Sequence, residues 1–279
     1  MQIMLLRLTL AGLVFAFALS TAASTWAGET LDKVMVAREL VVSTETAYPP
    51  QSVQKPDGSF EGFDIDVATE IAKRLGAKAK FVTPAWEVVA AGKWGGRWDV
   101  SVGSMTPTKA RAEVLDFPAV YYYSPAAFAV HKDNVTQSAS DLSGKRIGVC
   151  GACTYVDYLK GSLVIDAEHI TPFTYQVSKP DIRTYETDTN AFDDLKLGDG
   201  VRLDAVMSSL PTIQEAINHG FPFRVVGKPV FFETASVATD KGDPEFDAKL
   251  AEIVKTMHAD GTLKNLSAKW YGIDLTSTD

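Results

Sequence analysis

Apolar strands and an amphipathic helix alternate at the start of the chain. Short apolar runs typical of strands begin at Leu40, Phe81 and Val100. Between the first two runs, apolar residues recur three or four positions apart, as in a helix: Ile65, Ala68, Ile71, Ala72 and Leu75. Asp64 is the predicted N-cap of this helix, and Gly76 is expected to end it. Strand, helix and strand in this order predict an α/β fold with parallel pairing.

The same alternation continues to the C-terminal part of the chain. Strands are predicted at 127–130, 146–149, 203–207, 224–226 and 235–238, and helices at 154–159, 191–195 and 211–217. Residues 161–184 contain two prolines and no clear period, so we predict no element there. Two α/β blocks and a returning tail predict two lobes that the chain crosses twice, near 128–131 and 227–232.

The best-defined helix follows Asp243. Its apolar positions form one stripe, Phe246, Leu250, Ile253, Val254 and Met257. Asp243 is expected to cap this helix, Pro244 to occupy its first turn, and Gly261 to end it.

Residues 1–27 differ in character from the rest of the chain. Arg7 is their one charged residue, an apolar run from Leu8 to Leu19 follows, and small residues lead to Ala27. The apolar run is shorter than the ~20 residues of a membrane span. We therefore predict a signal peptide with the mature chain beginning at Gly28, and a retained N-terminal anchor is the alternative.

The charge balance narrows the classes of partner. The chain of 279 residues has a formal net charge of −8 and no basic cluster. This argues against binding to nucleic acid or to anionic lipid, and we expect a soluble, acidic, exported protein.

One stretch combines a strand end with groups that suit a small anion. Asp99 to Arg111 runs from an apolar strand into hydroxyl residues, a proline and two basic residues. The planar guanidinium of Arg111 can hold a carboxylate with two parallel hydrogen bonds. A surface loop with a solvated arginine is the alternative.

Seven motifs occur in the order seen in one family of transport receptors. They are Tyr48-Pro-Pro50, Gly62-Phe-Asp-Ile-Asp-Val67, Ser104-Met-Thr-Pro-Thr-Lys-Ala-Arg111, Asp116-Phe-Pro118 with Tyr121-Tyr-Tyr123, Leu142-Ser-Gly-Lys-Arg-Ile-Gly148, Leu203-Asp-Ala-Val206, and Asp260-Gly-Thr-Leu263 with Lys269-Trp-Tyr-Gly272. Together they resemble the polar amino-acid type of periplasmic solute-binding protein, family 3, the receptor component of ABC importers. The resemblance covers nearly the whole mature chain.

The resemblance implies an α/β fold of the type II periplasmic-binding class. Each of two lobes would be a mainly parallel sheet flanked by helices, joined by two crossover strands. We expect 28–130 and 229–279 to form lobe 1 and 131–228 to form lobe 2. The implied function is a monomeric periplasmic receptor, without cofactor or metal, that closes around a small carboxylate-bearing solute and delivers it to an ABC permease with a separate ATPase.

The same resemblance implies a set of ligand-binding residues. On lobe 1, Arg111 resembles the arginine that holds the ligand carboxylate. Its neighbours there would be Gly103, Ser104 and Thr106, with Glu45, Tyr48 and Trp86 around the ligand side chain. On lobe 2, Cys153 and Thr154 fall at the strand-to-helix turn that offers backbone N–H groups to the carboxylate. For Tyr48 and Trp86, burial in the core is the alternative.

Ser209 departs from the family pattern. Related proteins that bind α-amino acids have an aspartate here, five residues beyond the aspartate of Leu203-Asp-Ala-Val206, and it holds the ligand ammonium. A buried ammonium requires a counter-charge, so either Glu45 or Asp188 replaces this acid or the ligand lacks a free α-amine. An N-substituted amino acid, an organic acid or a polar neutral solute would fit the second case.

Cys150 and Cys153 are the only cysteines and form a C-x-x-C. In an oxidising compartment we favour a local disulfide over a redox pair or free thiols.

No enzyme signature is present. The four histidines are scattered, and G-x-S-x-G, H-E-x-x-H, G-x-G-x-x-G and P-loop motifs are absent. We therefore predict a non-enzymatic binding protein. The alternative from a different class is a lyase similar to cyclohexadienyl or arogenate dehydratase, which shares the fold and needs only a well-placed acid.

Overall fold

The structure is a computed structural model that describes residues 28–168 and 170–277. The predicted signal peptide, residues 1–27, lies outside the described residues. None of the helices in these two ranges combines the length and the hydropathy that a membrane span requires.

Nine α-helices and eleven strands are found in these ranges. The helices are α1 (Glu29–Ala37), α2 (Phe63–Arg74), α3 (Trp86–Ala90), α4 (Lys109–Ala112), α5 (Thr154–Lys160), α6 (Asp188–Leu195), α7 (Leu210–Asn218), α8 (Pro244–Ala259) and α9 (Thr262–Tyr271). The strands are β1 (Glu39–Ser43), β2 (Ala47–Tyr48), β3 (Ser52–Gln54), β4 (Phe60–Glu61), β5 (Lys78–Val82), β6 (Val100–Met105), β7 (Leu115–His131), β8 (Arg146–Cys150), β9 (Asp181–Tyr185), β10 (Ala205–Ser209) and β11 (Phe223–Asp240).

The predicted apolar stripes of α2 and α8 are confirmed. Every predicted stripe residue of both helices is buried, and the two helices share one core with strand residues such as Val42 and Val102. Asp243 caps α8, because its carboxylate accepts a hydrogen bond from the Phe246 N–H at 2.9 Å. Pro244 lies in the first turn of α8. The backbone N–H that proline lacks would have no partner within the helix at that position.

The main sheet has eight strands in the order β5-β1-β6-β11-β7-β10-β8-β9. At one end, β1 pairs in parallel with β5 and β6; at the other, β8 pairs in parallel with β9 and β10. We call the part built on β5, β1 and β6 the first lobe, and the part built on β10, β8 and β9 the second lobe. The predicted α/β fold with two mainly parallel lobes is confirmed.

Two long antiparallel strands join the lobes into one sheet. β7 has 17 residues and β11 has 18, and they pair with each other along most of their length. The sequence predicted only fragments of each, because Pro118 and Pro125 interrupt the pattern of β7, and Gly227 and Pro229 that of β11. The register between the two strands shifts between Val226 and Phe231, so their pairing is irregular where Gly227 and Pro229 occur in β11.

One strand was missed and one cap was wrong. β9 lies in the stretch predicted to be irregular, at its end, just after Pro180. α2 begins at Phe63 with Gly62 as its N-cap, so Asp64 does not cap it. Gly62 is required there, since a Cβ on it would lie 2.1 Å from the Gln51 carbonyl oxygen. The Asp64 side chain is instead fully buried.

Asp64 accepts hydrogen bonds that fix the end of β6. The Tyr121 hydroxyl donates to Asp64 Oδ1 at 2.7 Å, and the Ser104 hydroxyl donates to Oδ2 at 2.8 Å. The backbone N–H of Ser104 donates in turn to the Tyr121 hydroxyl at 2.7 Å. This network holds Ser104 at φ 55°, in the left-handed region that a residue with a side chain seldom adopts.

We predict that Asp64 makes the protein less stable as pH rises. Burial raises the pKa of Asp64 from 3.8 to about 7, so between pH ~4 and ~7 the folded state holds a proton that the unfolded state has lost. The free energy of unfolding should therefore fall across this window. Asp64→Asn should remove up to about 1.4 kcal/mol per pH unit of that slope, measured by urea unfolding from pH 4.5 to 7.5.

The exposed turn residue Asp57 provides the control for this experiment. Its pKa is lowered by hydrogen bonds from Ser59, so Asp57→Asn should leave the slope above pH 5 unchanged. Equal slopes for the wild type and Asp64→Asn would contradict the assignment.

Candidate functional site

The carboxyl ends of the parallel strands in both lobes face a common cleft. In the first lobe, β1, β5 and β6 lead to Glu45, Trp86 and Thr106. In the second lobe, β8, β9 and β10 lead to the starts of α5, α6 and α7. Ligands of open α/β sheets bind outside these carboxyl ends, where unpaired backbone and side-chain polar groups converge. The topology therefore brings six loops to one site.

A cavity lies between these loops. Its volume is about 340 Å³. Eight of the ten predicted ligand-binding residues line it: Glu45, Tyr48, Trp86, Gly103, Ser104, Arg111, Cys153 and Thr154. Three further residues line it: Tyr155 and Glu233, which were not predicted, and Asp188, which was named only as one of two acids that could replace the acid missing at Ser209. The two predicted residues that do not line the cavity are Thr106 and Ser209.

Arg111 is buried in the cleft and not on the outer surface. Its guanidinium donates to the Thr106 carbonyl at 2.8 Å and to the Ala152 carbonyl at 2.7 Å, and so connects the two lobes. It lies 5.5 Å from the centre of the Trp86 ring. Within the described residues no carboxylate oxygen comes within 4.0 Å of its nitrogens. Burial lowers the pKa of Arg111, which indicates a charge that is desolvated and not fully compensated.

The C-x-x-C turn provides the second-lobe partner of Arg111. Cys150 and Cys153 form a disulfide with a Cα–Cα distance of 5.7 Å, so the predicted disulfide is present. Ala152, inside the turn, has φ 55° and directs its carbonyl to Arg111. Cys153 is the N-cap of α5 without a side-chain hydrogen bond.

Glu233 is the main site residue that the sequence reasoning missed. It lies on β11 with 6% of its surface exposed. Its Oε1 accepts hydrogen bonds from the hydroxyls of Thr106 and Thr154, one from each lobe, and its Oε2 accepts one from Tyr155 at 2.7 Å. Of these three residues, Thr106 and Thr154 were expected to lie beside a ligand carboxylate. The available signal was that Glu233 is the single charged residue in the largely apolar run 229–238.

Three carboxyl groups therefore share the cavity with one guanidinium. Burial, together with the nearby Asp188, raises the pKa of Glu45 to about 8. Burial and Glu233 raise the pKa of Asp188 to about 7, and burial raises the pKa of Glu233 against the effect of its hydroxyl donors. A cationic group that entered the cavity would favour the charged forms of these acids.

Ser209 is fully buried beside the cavity, where its hydroxyl is already bonded. It caps α7 by accepting from the Thr212 N–H at 3.3 Å, lies 2.7 Å from the Thr212 hydroxyl, and contacts the Gln51 side-chain amide at 3.2 Å. Gln51 comes from the first lobe, so this cluster is a contact between the lobes. Tyr48 is 8% exposed and, like Trp86, lines the cavity.

Several known proteins are similar to this chain in sequence or in structure. The L-cystine-binding protein TcyJ of Escherichia coli K12 is 30% identical over 88% of this chain and 87% of its own. The L-arginine-binding protein of Pseudomonas aeruginosa is 27% identical over 84% of this chain and 88% of its own. A solved ancestral amino acid-binding protein, a precursor of cyclohexadienyl dehydratase, is 30% identical with a TM-score of 0.73, covering 87% of this chain and 99% of that protein.

A family model also matches most of the chain. It describes bacterial extracellular solute-binding proteins, family 3, and it spans residues 40–273, from β1 to just beyond α9. The matched range contains both lobes, both long strands and every residue that lines the cavity. The chain thus belongs to the bacterial extracellular solute-binding proteins of family 3.

Proposed function

We propose that this protein is an amino-acid receptor of an ABC importer that binds a carboxylate-bearing solute between its lobes. The observation that carries the proposal is Arg111, a buried guanidinium with no carboxylate partner within the described residues. A buried charge without a counter-ion is costly, and two of its five N–H donors are used by carbonyl groups. A ligand carboxylate would supply the missing charge.

The ligand carboxylate would approach Arg111 beside Glu233. Two neighbouring carboxylates repel each other, but the raised pKa of Glu233 favours its neutral form next to an incoming anion. A protonated Glu233 can donate a hydrogen bond to the ligand. Thr106 and Thr154 would then be shared between Glu233 and the ligand, and Gly103, Ser104 and Cys153 would form the wall around the carboxylate.

The remainder of the ligand would lie against Glu45, Tyr48 and Trp86. The two aromatic rings offer apolar surface, and Glu45 offers an acceptor for a polar or cationic side chain. Relatives named for L-cystine and L-arginine support an amino acid as the ligand. Ser209 would contribute only through its contact with Gln51.

Closure would depend on contacts made to both lobes at once. We propose that the chain crosses between the lobes from Tyr122 to Ala126 and from Phe231 to Ala235, a few residues from the predicted boundaries. Tyr122 and Ala235 belong to the first-lobe core, whereas Ala126 and Phe231 belong to the second-lobe core. Glu233 then stands at one crossing.

The names of two relatives support a proposal for the partners of this receptor. Two of them are named as amino-acid ABC transporter-binding proteins, which supports an ABC permease and its ATPase as partners. We propose a periplasmic monomer, exported by the predicted signal peptide, that presents its closed form to the permease.

Arg111→Ala should weaken binding of the amino-acid ligand at least tenfold. This corresponds to ~1.4 kcal/mol, a modest value for a desolvated charged pair. A thermal-shift screen of amino acids, N-substituted amino acids, organic acids and sugars identifies the ligand, and titration calorimetry measures its affinity. Lys109→Ala, an exposed neighbour on the same short helix, is the control and should leave binding unchanged. Unchanged affinity in Arg111→Ala would remove this residue from the site.

A lyase of the dehydratase type is the second candidate. It is favoured by the raised pKa values of Glu45 and Asp188, which suit a general acid, and by the structural similarity to the dehydratase precursor. An absorbance assay with prephenate and arogenate tests it. The receptor proposal predicts saturable, stoichiometric ligand binding and no product, and steady turnover would replace it.

A further inference from the structure

We infer that Asp188 holds the ammonium group of the ligand, in place of the acid that is missing at Ser209. The inference rests on the proposed function, because it assumes that an amino acid lies between the lobes with its carboxylate at Arg111. It names the ligand class more closely as a solute with a free, positively charged α-amine. Four observations support it.

Asp188 lies one residue beyond the position equivalent to Ser209, in the preceding strand–helix unit. β9 and β10 flank β8 on either side, all three run in parallel, and α6 and α7 begin where β9 and β10 reach the cleft. Ser209 is the N-cap of α7, and Asp188 is the first residue of α6. An acid between β9 and α6 therefore lies at the same edge of the second lobe as an acid between β10 and α7 would.

The carboxylate of Asp188 does not cap its helix. Thr187 is the N-cap of α6, because its hydroxyl accepts from the Asn190 N–H at 3.2 Å. Asp188 is only 5% exposed and lines the cavity, yet its Oδ1 is fully buried without a hydrogen-bond partner among the described residues. Leaving a carboxylate oxygen buried and unpaired is costly, so this arrangement indicates an acceptor that a bound group completes.

No cationic side chain of the described residues contacts Asp188 directly. The ionisable groups that face it are Glu45 from the loop after β1, Tyr48 on β2, Tyr155 on α5 and Glu233 on β11. In the described ranges, no lysine, arginine or histidine nitrogen lies within 4.0 Å of its oxygens. A ligand ammonium would supply a positive charge at this position.

Ser209 is not available to bind the ligand ammonium in this structure. Its hydroxyl is committed to the Thr212 N–H and to the Gln51 side chain, and it does not line the cavity. A serine also offers only a lone pair to an ammonium, whereas Asp188 offers a charge. Of the three cavity acids, Glu233 is occupied by three hydroxyls and Glu45 comes from the opposite lobe.

The test compares one amino acid with its des-amino analogue, in which hydrogen replaces the ammonium. The probe is the L-amino acid that raises the melting temperature most in a panel of the common amino acids and L-cystine. The wild type should bind the amino acid at least tenfold more tightly than the analogue. In Asp188→Asn this preference should fall close to one, because the amino acid loses affinity and the analogue does not.

The control variant is Asp193→Asn, a partly exposed acid on the same helix, which should keep the wild-type preference. A purely structural role for Asp188 would lower the affinity for both ligands alike and leave the preference intact, which would overturn the inference.

If Asp188→Asn does not fold, calorimetry of the wild type in phosphate and in Tris at pH 7 tests the inference instead. The amino acid should release more protons on binding than its des-amino analogue, because only the ammonium lowers the pKa of Asp188 from about 7. Equal release by the two ligands would overturn the inference.

The two proposals can fail separately. If Arg111→Ala abolishes binding while the wild type does not distinguish the amino acid from its analogue, the proposed function stands and the role of Asp188 is wrong. If no amino acid binds the wild type, both are wrong.

Discussion

The cleft is organised around one buried guanidinium that no carboxylate of the described residues contacts directly. Arg111 is held by two carbonyl groups, one on each lobe, and neither provides a negative charge. The carboxyl groups that share its cavity are directed to hydroxyls, as in Glu233, or have an unpaired oxygen, as in Asp188. The cavity thus combines one guanidinium with acids that it does not contact directly within the described residues, and a zwitterionic amino acid would complement this set of groups.

This separation follows from the fold. Parallel strands deliver their carboxyl ends to the cleft from both lobes, so that short loops carry the polar groups while the apolar stripes of α2 and α8 remain in the core. The two long strands that join the lobes add a third source of side chains, and Glu233 comes from one of them. Its hydroxyl donors come from both lobes, so Glu233 connects the lobes through hydrogen bonds that involve no ligand.

The sequence predicted those features that depend on local pattern. The α8 stripe and its cap at Asp243, and the helix that starts at Thr154, depend on neighbouring residues, and the structure confirms them. The eight predicted residues that line the cavity were found through the motif resemblance, which encodes the order of the loops. Their roles toward a ligand remain predictions.

The features that the sequence did not predict depend on long-range contacts. Asp64 has the pattern of a cap, but Tyr121 and Ser104 draw its carboxylate into the core. Glu233 meets Thr106 and Thr154, residues 127 and 79 positions away, so no local pattern marks it. The continuous course of β7 through Pro118 and Pro125 is likewise set by its pairing with β11 and not by its own residues.

A crystal structure of the protein with its bound amino acid is the most direct test of the account. The account predicts a ligand carboxylate within about 3 Å of the Arg111 guanidinium, in hydrogen-bonding geometry, between closed lobes. A ligand whose carboxylate points away from Arg111, or an uncharged group in that position, would contradict it.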